Sequence, residues 1–116
     1  MGLFLTSYLH IGDIIRFTYN DKLRTVVVLD CTDKSIRTWD FSQNAYRVFC
    51  HDRMVGVEIP NIPCKRIWLK DLPTVYKPTL LRLKSLKKTY QNDGYSVFII
   101  EDKENSDLNE LVAIKL

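Results

Sequence analysis

The residues best suited to chemistry follow one another at positions 50–52, where a cysteine, a histidine and an aspartate are adjacent. A nucleophilic thiol needs a base close by, and Cys50 and His51 are the only neighbouring pair that offers one. Neighbouring side chains on a β-strand point to opposite faces, so this adjacency separates the thiol from the imidazole. We therefore predict that the protein is not an enzyme.

Metal and phosphate-loop motifs are missing from the sequence. Cys31, Cys50 and Cys64 lack the paired spacing that holds a tetrahedral ion, and four glycines at positions 2, 12, 56 and 94 form no phosphate-binding loop. The sequence thus predicts no metal and no cofactor. An odd number of widely spaced cysteines, with Arg16 as the first basic residue, leads us to expect a cytoplasmic protein with reduced thiols and no secretory leader.

Arginines interleaved with aromatic residues suggest binding in place of catalysis. Planar guanidinium groups beside aromatic rings are typical of sites for phosphates and stacked bases. An equally good interpretation is a sheet whose exposed arginines only keep it in solution. The residues concerned are Arg24, Arg47, Arg53, Trp39, Tyr46 and Phe49.

The net charge of +3 hides a strong asymmetry along the chain. Residues 1–60 are balanced, residues 61–93 carry eight basic against two acidic groups, and residues 94–116 carry two basic against five acidic groups. Such asymmetry indicates an anionic partner or an internal electrostatic match. Lys84 and Lys88, in the basic segment, are candidate contacts to nucleic acid, although a row of lysines is also the ordinary solvated face of a helix.

Alternating apolar and polar residues predict five short strands in the first half of the chain. Turn-forming residues such as Asn20 and Asp21 separate them. Strands at this spacing are typical of a small, strongly bent antiparallel barrel. The predicted strands are 13–19, 23–30, 35–40, 45–50 and 54–59.

The second half changes character after residue 60. All four prolines fall within residues 60–78, which predicts a connector and not a continuing sheet. Residues 79–90 predict an amphipathic helix with Lys84 and Lys88 on its outer side. Strands at 95–101 and 110–116 then form a hairpin around an acidic loop. We thus expect a mainly β fold with one helix, in which residues 61–116 pack as one unit on a barrel formed by residues 1–60, or form a small separate lobe.

The segment Tyr46–Met54 resembles the signature that ends the WYL domain, an Sm-like or SH3-like barrel found in bacterial transcription regulators, defence systems and phages. Its best matches are Arg47, Phe49, Asp52 and Arg53. Ile15–Tyr19, Leu23–Val26 and Ile36–Asp40 are similar to earlier strands of that domain, so the resemblance covers about residues 11–59. The tripeptide that names the family falls at Lys34–Ile36, where its tryptophan and tyrosine are absent.

The resemblance implies an SH3/Sm-like barrel that binds nucleic acid or a nucleotide-like ligand through basic barrel residues. By position it implicates Arg24, Arg47 and Arg53. Only about ten residues precede the first strand, too few for the helix-turn-helix of the family's regulators. The chain therefore looks like a small phage-encoded or accessory protein.

Two functional hypotheses follow. The first is a non-enzymatic regulatory module that contacts nucleic acid through barrel arginines and the basic helix. The second is a protein-interaction or inhibitor module, in which Trp39, Tyr46 and Trp68 form an aromatic patch for a host protein. No apolar run exceeds four residues, so we expect no membrane partner. An unpaired sheet edge leaves self-association open.

Overall fold

A computed structural model describes residues 9–71, 80–102, 104–105 and 108–116, with only the backbone of residues 80–82. The chain divides into two compact units, Met1–Asn61 and Ile62–Leu116, which we describe separately. Short 3-10 turns occupy His51–Arg53 and Leu69–Asp71. The other elements are β1 (Ile14–Tyr19), β2 (Lys22–Cys31), β3 (Ser35–Asp40), β4 (Ala45–Cys50), β5 (Val55–Glu58), β6 (Cys64–Trp68), α1 (Leu80–Asn92), β7 (Ser96–Ile100) and β8 (Glu110–Ile114).

The first unit contains the five predicted strands, and the predicted mainly β class with one helix is confirmed. Hydrogen bonds link the strands in the antiparallel order β4-β3-β2-β1-β5, so the last strand returns to pair with the first. The turn between β1 and β2 explains part of this order. Asn20 and Asp21 both have positive φ, at 51° and 64°, which matches the twist that a two-residue hairpin loop requires.

The core of the first unit forms on one face of this sheet. Ile15, Phe17 and Tyr19 are buried on alternate positions of β1, as the sequence predicts. Phe49 meets Phe17 and Tyr19 edge to face, with ring centroids 4.9 and 4.8 Å away. Such pairs stabilise a fold by about 0.5–1.5 kcal/mol beyond the area that they bury. The same cluster includes Val26, Val28, Ile36 and Met54.

A β-bulge interrupts the pairing of β2 with β3. Val28 pairs with Thr38, and Asp30 pairs with Arg37, the residue before Thr38. Leu29, between Val28 and Asp30, is therefore the extra residue of the bulge. A bulge bends its strand and re-aims the neighbouring side chains. This irregularity lies beside the candidate site described below.

The second unit is a three-stranded antiparallel sheet with α1 packed on it, in the strand order β6-β8-β7. The prediction that residues 60–78 are only a connector is wrong, because Cys64–Trp68 pairs with β8 along its whole length. The predicted C-terminal hairpin of two strands is therefore part of a sheet of three. Pro60 and Pro63 stand ahead of β6 and do not interrupt its ladder, a position that a proline tolerates at a sheet edge.

The predicted faces of the helix are confirmed for its described side chains. Leu83 is fully buried against Leu69, Val97 and Leu111, and Leu86 and Tyr90 pack against the same cluster. Lys84 and Lys88 are exposed. The predicted start near Pro78 lies outside the described residues.

The helix ends at the predicted glycine. Gly94 has a φ of 89°, and the Tyr95 amide donates to the Tyr90 carbonyl at 3.0 Å, which satisfies a carbonyl in the last helical turn. Within the described part of the chain, no helix is long and apolar enough to cross a membrane.

Candidate functional site

The candidate site lies on β3 and β4, where cross-strand pairing gathers aromatic and basic side chains. Trp39 pairs with Tyr46 and Arg37 pairs with Val48. Residues at alternate positions, and their direct partners, share one face of a sheet. The rings of Trp39 and Tyr46 meet edge to face, with centroids 4.9 Å apart. Trp39 is half-buried and Tyr46 is 69% exposed, so the sheet holds the tyrosine ring from one side and presents it to solvent.

A depression of about 180 Å³ lies beside this aromatic pair and next to the bulge at Leu29. Ligand pockets for whole small molecules usually start at about 300 Å³, so the depression fits one ionic group of a larger ligand. A phosphate group is small enough to enter it. The residues that line the depression are Leu29, Arg37, Thr38, Tyr46, Arg47 and Val48.

Two arginines are among the lining residues, and their side chains leave the sheet on opposite faces, because Arg37 pairs with Val48 and Arg47 pairs with Thr38. Arg37 and Arg47 are both exposed, and neither forms an ion pair with any residue that the structure describes. The backbone beneath them is fixed, because the Thr38 hydroxyl donates to the Arg47 carbonyl at 2.9 Å. Asp30 is the cross-strand neighbour of Arg37, but its Oδ1 accepts a hydrogen bond from the Cys31 amide. Both arginines thus keep their forked donors for an anion.

Arg24 occupies a different environment. It is 7% exposed, and its Nη1 donates to Oδ2 of the fully buried Asp40 at 3.2 Å. The other carboxylate oxygen accepts from the Ser42 amide, and the Ser42 hydroxyl accepts from the Thr25 amide. Arg24 therefore joins β2 to the end of β3 inside the protein and does not line the depression.

Arg53 is exposed but bonded within the first unit. Its Nη2 donates to Oδ1 of Asn20 at 2.5 Å, and its guanidinium lies 4.8 Å from the centre of the Tyr19 ring. These contacts fasten the 3-10 turn to the β1–β2 turn. Arg53 does not line the depression.

The cysteine–histidine pair is divided between surface and interior. Cys50 is exposed, whereas His51 is 2% exposed and its Nε2 lies 2.7 Å from the Thr32 carbonyl. Nε2 must therefore carry the proton, and Nδ1 has no hydrogen-bond partner among the described residues. No hydrogen bond joins the Cys50 thiol to His51 within the same residues.

The pKa values of the other two thiols are raised above that of an ordinary cysteine. Burial raises the pKa of the Cys31 thiol, and the charge of Asp30 raises it further. Burial also raises the pKa of Cys64, with Arg66 acting in the opposite direction. A raised pKa leaves less thiolate at neutral pH. No group of three or more metal-ligating side chains occurs in the described part of the chain.

The remaining predicted site residues lie in the second unit. Lys84 and Lys88 are exposed on α1, one turn apart. Trp68 is 37% exposed on β6, with the Lys70 ammonium 5.5 Å from its ring centre.

Arg37 was missed by the sequence analysis. The alternation within Ser35–Asp40 places Arg37 and Trp39 on the same side of the strand, and this was the available signal. The register of β3 against β4, which pairs Arg37 with Val48 and places it on the same face as the predicted Tyr46, depends on the turn at residues 41–44.

Comparison with known proteins adds no relative. No protein-family model, curated protein or solved structure matches this chain significantly.

Proposed function

We propose that this protein is a non-enzymatic regulatory module that binds nucleic acid, or a nucleotide-like ligand, at the depression between β3 and β4. One observation carries the proposal: Arg37 and Arg47 are exposed, make no ion pair with described residues and border the same depression. The forked guanidinium group of each arginine suits one phosphate, so an extended strand can make two phosphate contacts here. Tyr46, held by Trp39, adds a ring on which a neighbouring base stacks.

The resemblance of residues 11–59 to the WYL domain supports the same class of ligand. The matched Arg47 borders the depression, and the matched Phe49 is buried beside Phe17 and Tyr19. In this proposal the protein acts in the cytoplasm.

The test measures binding of labelled single- and double-stranded DNA and RNA by fluorescence anisotropy. Combined Arg37→Gln and Arg47→Gln substitutions remove both guanidinium groups and should abolish binding. Two phosphate contacts predict that the affinity of the unmodified protein falls about sevenfold for a single strand between about 50 and about 200 mM salt. For a duplex the expected loss is about twelvefold.

A matched control removes the same charge elsewhere in the first unit. Lys22 and Lys34 are exposed and do not line the depression, so combined Lys22→Gln and Lys34→Gln substitutions should weaken binding much less. Equal losses in the two variants would show that binding responds only to net charge. No binding of any oligonucleotide at low salt would disprove the proposal.

The second candidate function is protein interaction. The observation that favours it is the exposure of apolar side chains on β4, where Tyr46 is 69% and Val48 is 60% exposed. Exposed aromatic residues are typical anchors of protein interfaces. The aromatic patch of this proposal consists of Trp39 and Tyr46, whose rings are in contact.

A further inference from the structure

The edge strands of the two sheets differ in how they discourage pairing with another chain. An open edge is a template for strand addition unless charge, proline, a bulge or short length protects it. β5 has only four residues, pairs irregularly with β1 and contains Gly56 at a φ of 66°. β6 follows Pro63 and carries Lys65 and Arg66. β7 presents no fully exposed side chain.

β4 lacks these protections. All six of its residues pair with β3 in continuous register, without a bulge. It is the terminal strand of its sheet, and its side chains at Tyr46, Arg47, Val48 and Cys50 are exposed. Arg47 is its only charged residue.

The alternation of hydrogen bonds shows which main-chain groups of β4 point away from the sheet. The His51 amide donates to the Lys34 carbonyl of the neighbouring strand end, so the main-chain groups of Phe49 and Arg47 face β3. Those of Val48 must face the open edge. The Cys50 amide fits this pattern, since it points away from β3 and donates to the Tyr19 hydroxyl at 3.4 Å. The N–H and C=O of Val48 have no partner among the described residues.

We infer that an extended acidic polypeptide segment adds to the edge of β4 as a sixth strand. Its main chain pairs with the N–H and C=O of Val48, and its alternating side chains lie on both faces of the sheet. On one face a carboxylate opposite Arg47 meets that guanidinium directly. On the other face a carboxylate opposite Val48 extends toward Arg37, the cross-strand neighbour of Val48.

Charge favours an acidic segment over a second copy of the chain as the strand that adds to β4. Residues 41–51 contain no aspartate or glutamate, so a second β4 would bring an arginine and no carboxylate to Arg37 and Arg47. Nucleic acid provides the negative charge but no peptide group for Val48. The inference goes beyond the proposed function and does not depend on it. If both hold, the acidic segment competes with nucleic acid for the same two arginines.

The test uses a fluorescein-labelled peptide of alternating threonine and glutamate, with glutamine and N-methylated versions as controls. The central variant is Val48→Pro, which removes a donor on the open edge and leaves the β3–β4 ladder intact. We expect Val48→Pro to weaken peptide binding about tenfold. Val48→Thr retains the amide and should bind as the unmodified protein does.

The peptide controls keep the test decisive even if Val48→Pro unfolds. Glutamine in place of glutamate removes the charge, and N-methylation of alternate residues removes the pairing donors, so both should bind weakly. Circular dichroism checks the fold of each variant. Equal binding of the N-methylated peptide, or no binding of the acidic peptide, would overturn the inference. Peptide binding without oligonucleotide binding would instead disprove only the proposed function, and sedimentation that showed a β4-dependent dimer would favour the second copy.

Discussion

Among single residues, Arg24 illustrates how burial decides the role of an arginine. Its guanidinium and the Asp40 carboxylate are both inside the protein, where each compensates the desolvation of the other. The exposed Arg37 and Arg47 have no such partner among the described residues. The three arginines are of one type, but only the exposed pair can exchange water for a ligand.

Replacement of Arg24 by glutamine should therefore reduce stability and not binding. The change leaves the Asp40 charge buried without its partner, which costs about 3 kcal/mol of the free energy of unfolding. Urea denaturation followed by Trp39 fluorescence, in a Trp68→Phe background, reports on the first unit. Oligonucleotide affinity of the folded variant should stay the same. Weaker binding at unchanged stability would place Arg24 at the interface instead.

Among the elements, the β1–β2 turn adopts the backbone conformation that the twist of the sheet requires, at a small cost in free energy. Asn20 and Asp21 both take left-handed conformations, which non-glycine residues adopt reluctantly. Asn-Gly is the most favourable pair for such a turn. Asp21, at the second position of the turn, therefore holds a strained backbone conformation.

We expect Asp21→Gly to stabilise the protein by about 0.5–1 kcal/mol, because glycine adopts positive φ without a steric penalty. The matched control is Asp33→Gly, in the β2–β3 turn, where φ is not positive. There glycine should destabilise the fold, since it only adds freedom to the unfolded chain. Thermal unfolding of both variants measures the two signs, and a loss of stability in Asp21→Gly would contradict this explanation.

The elements also show what sequence patterns can and cannot predict. The five strands of the first unit were predictable because alternation and turn residues are local signals, as in Ile15, Phe17 and Tyr19. β6 was missed because proline density near Pro63 suggested a connector, while its pairing partner β8 lies more than forty residues away. The candidate site on β3 and β4 was predicted only in part, for the same reason. Arg47 and Tyr46 were found, but the register that adds Arg37 is a property of the folded sheet.

For the whole molecule, charge is distributed unevenly between the two units. Residues 1–60 are electrically balanced, and the basic excess belongs to residues 61–93. In the proposed function, the arginines at the depression of this balanced first unit therefore act on a phosphate at short range. The exposed Lys84 and Lys88 belong to the basic stretch, and in the proposed function they act through general attraction to phosphates.

This difference predicts that the length of the oligonucleotide probe distinguishes the effect of the two arginines from that of the two lysines. A dinucleotide offers few phosphates beyond the one in the depression, so its affinity should fall more with combined Arg37→Gln and Arg47→Gln than with combined Lys84→Gln and Lys88→Gln. A strand of about twenty nucleotides reaches more phosphate sites, and loss of two lysine contacts should lower its log–log salt slope by about 1.4. Anisotropy titrations of both probes at several salt concentrations measure these effects. If the lysine variant weakened the dinucleotide as strongly as the arginine variant, the short-range role of Arg37 and Arg47 would be wrong, because general charge would then account for all binding.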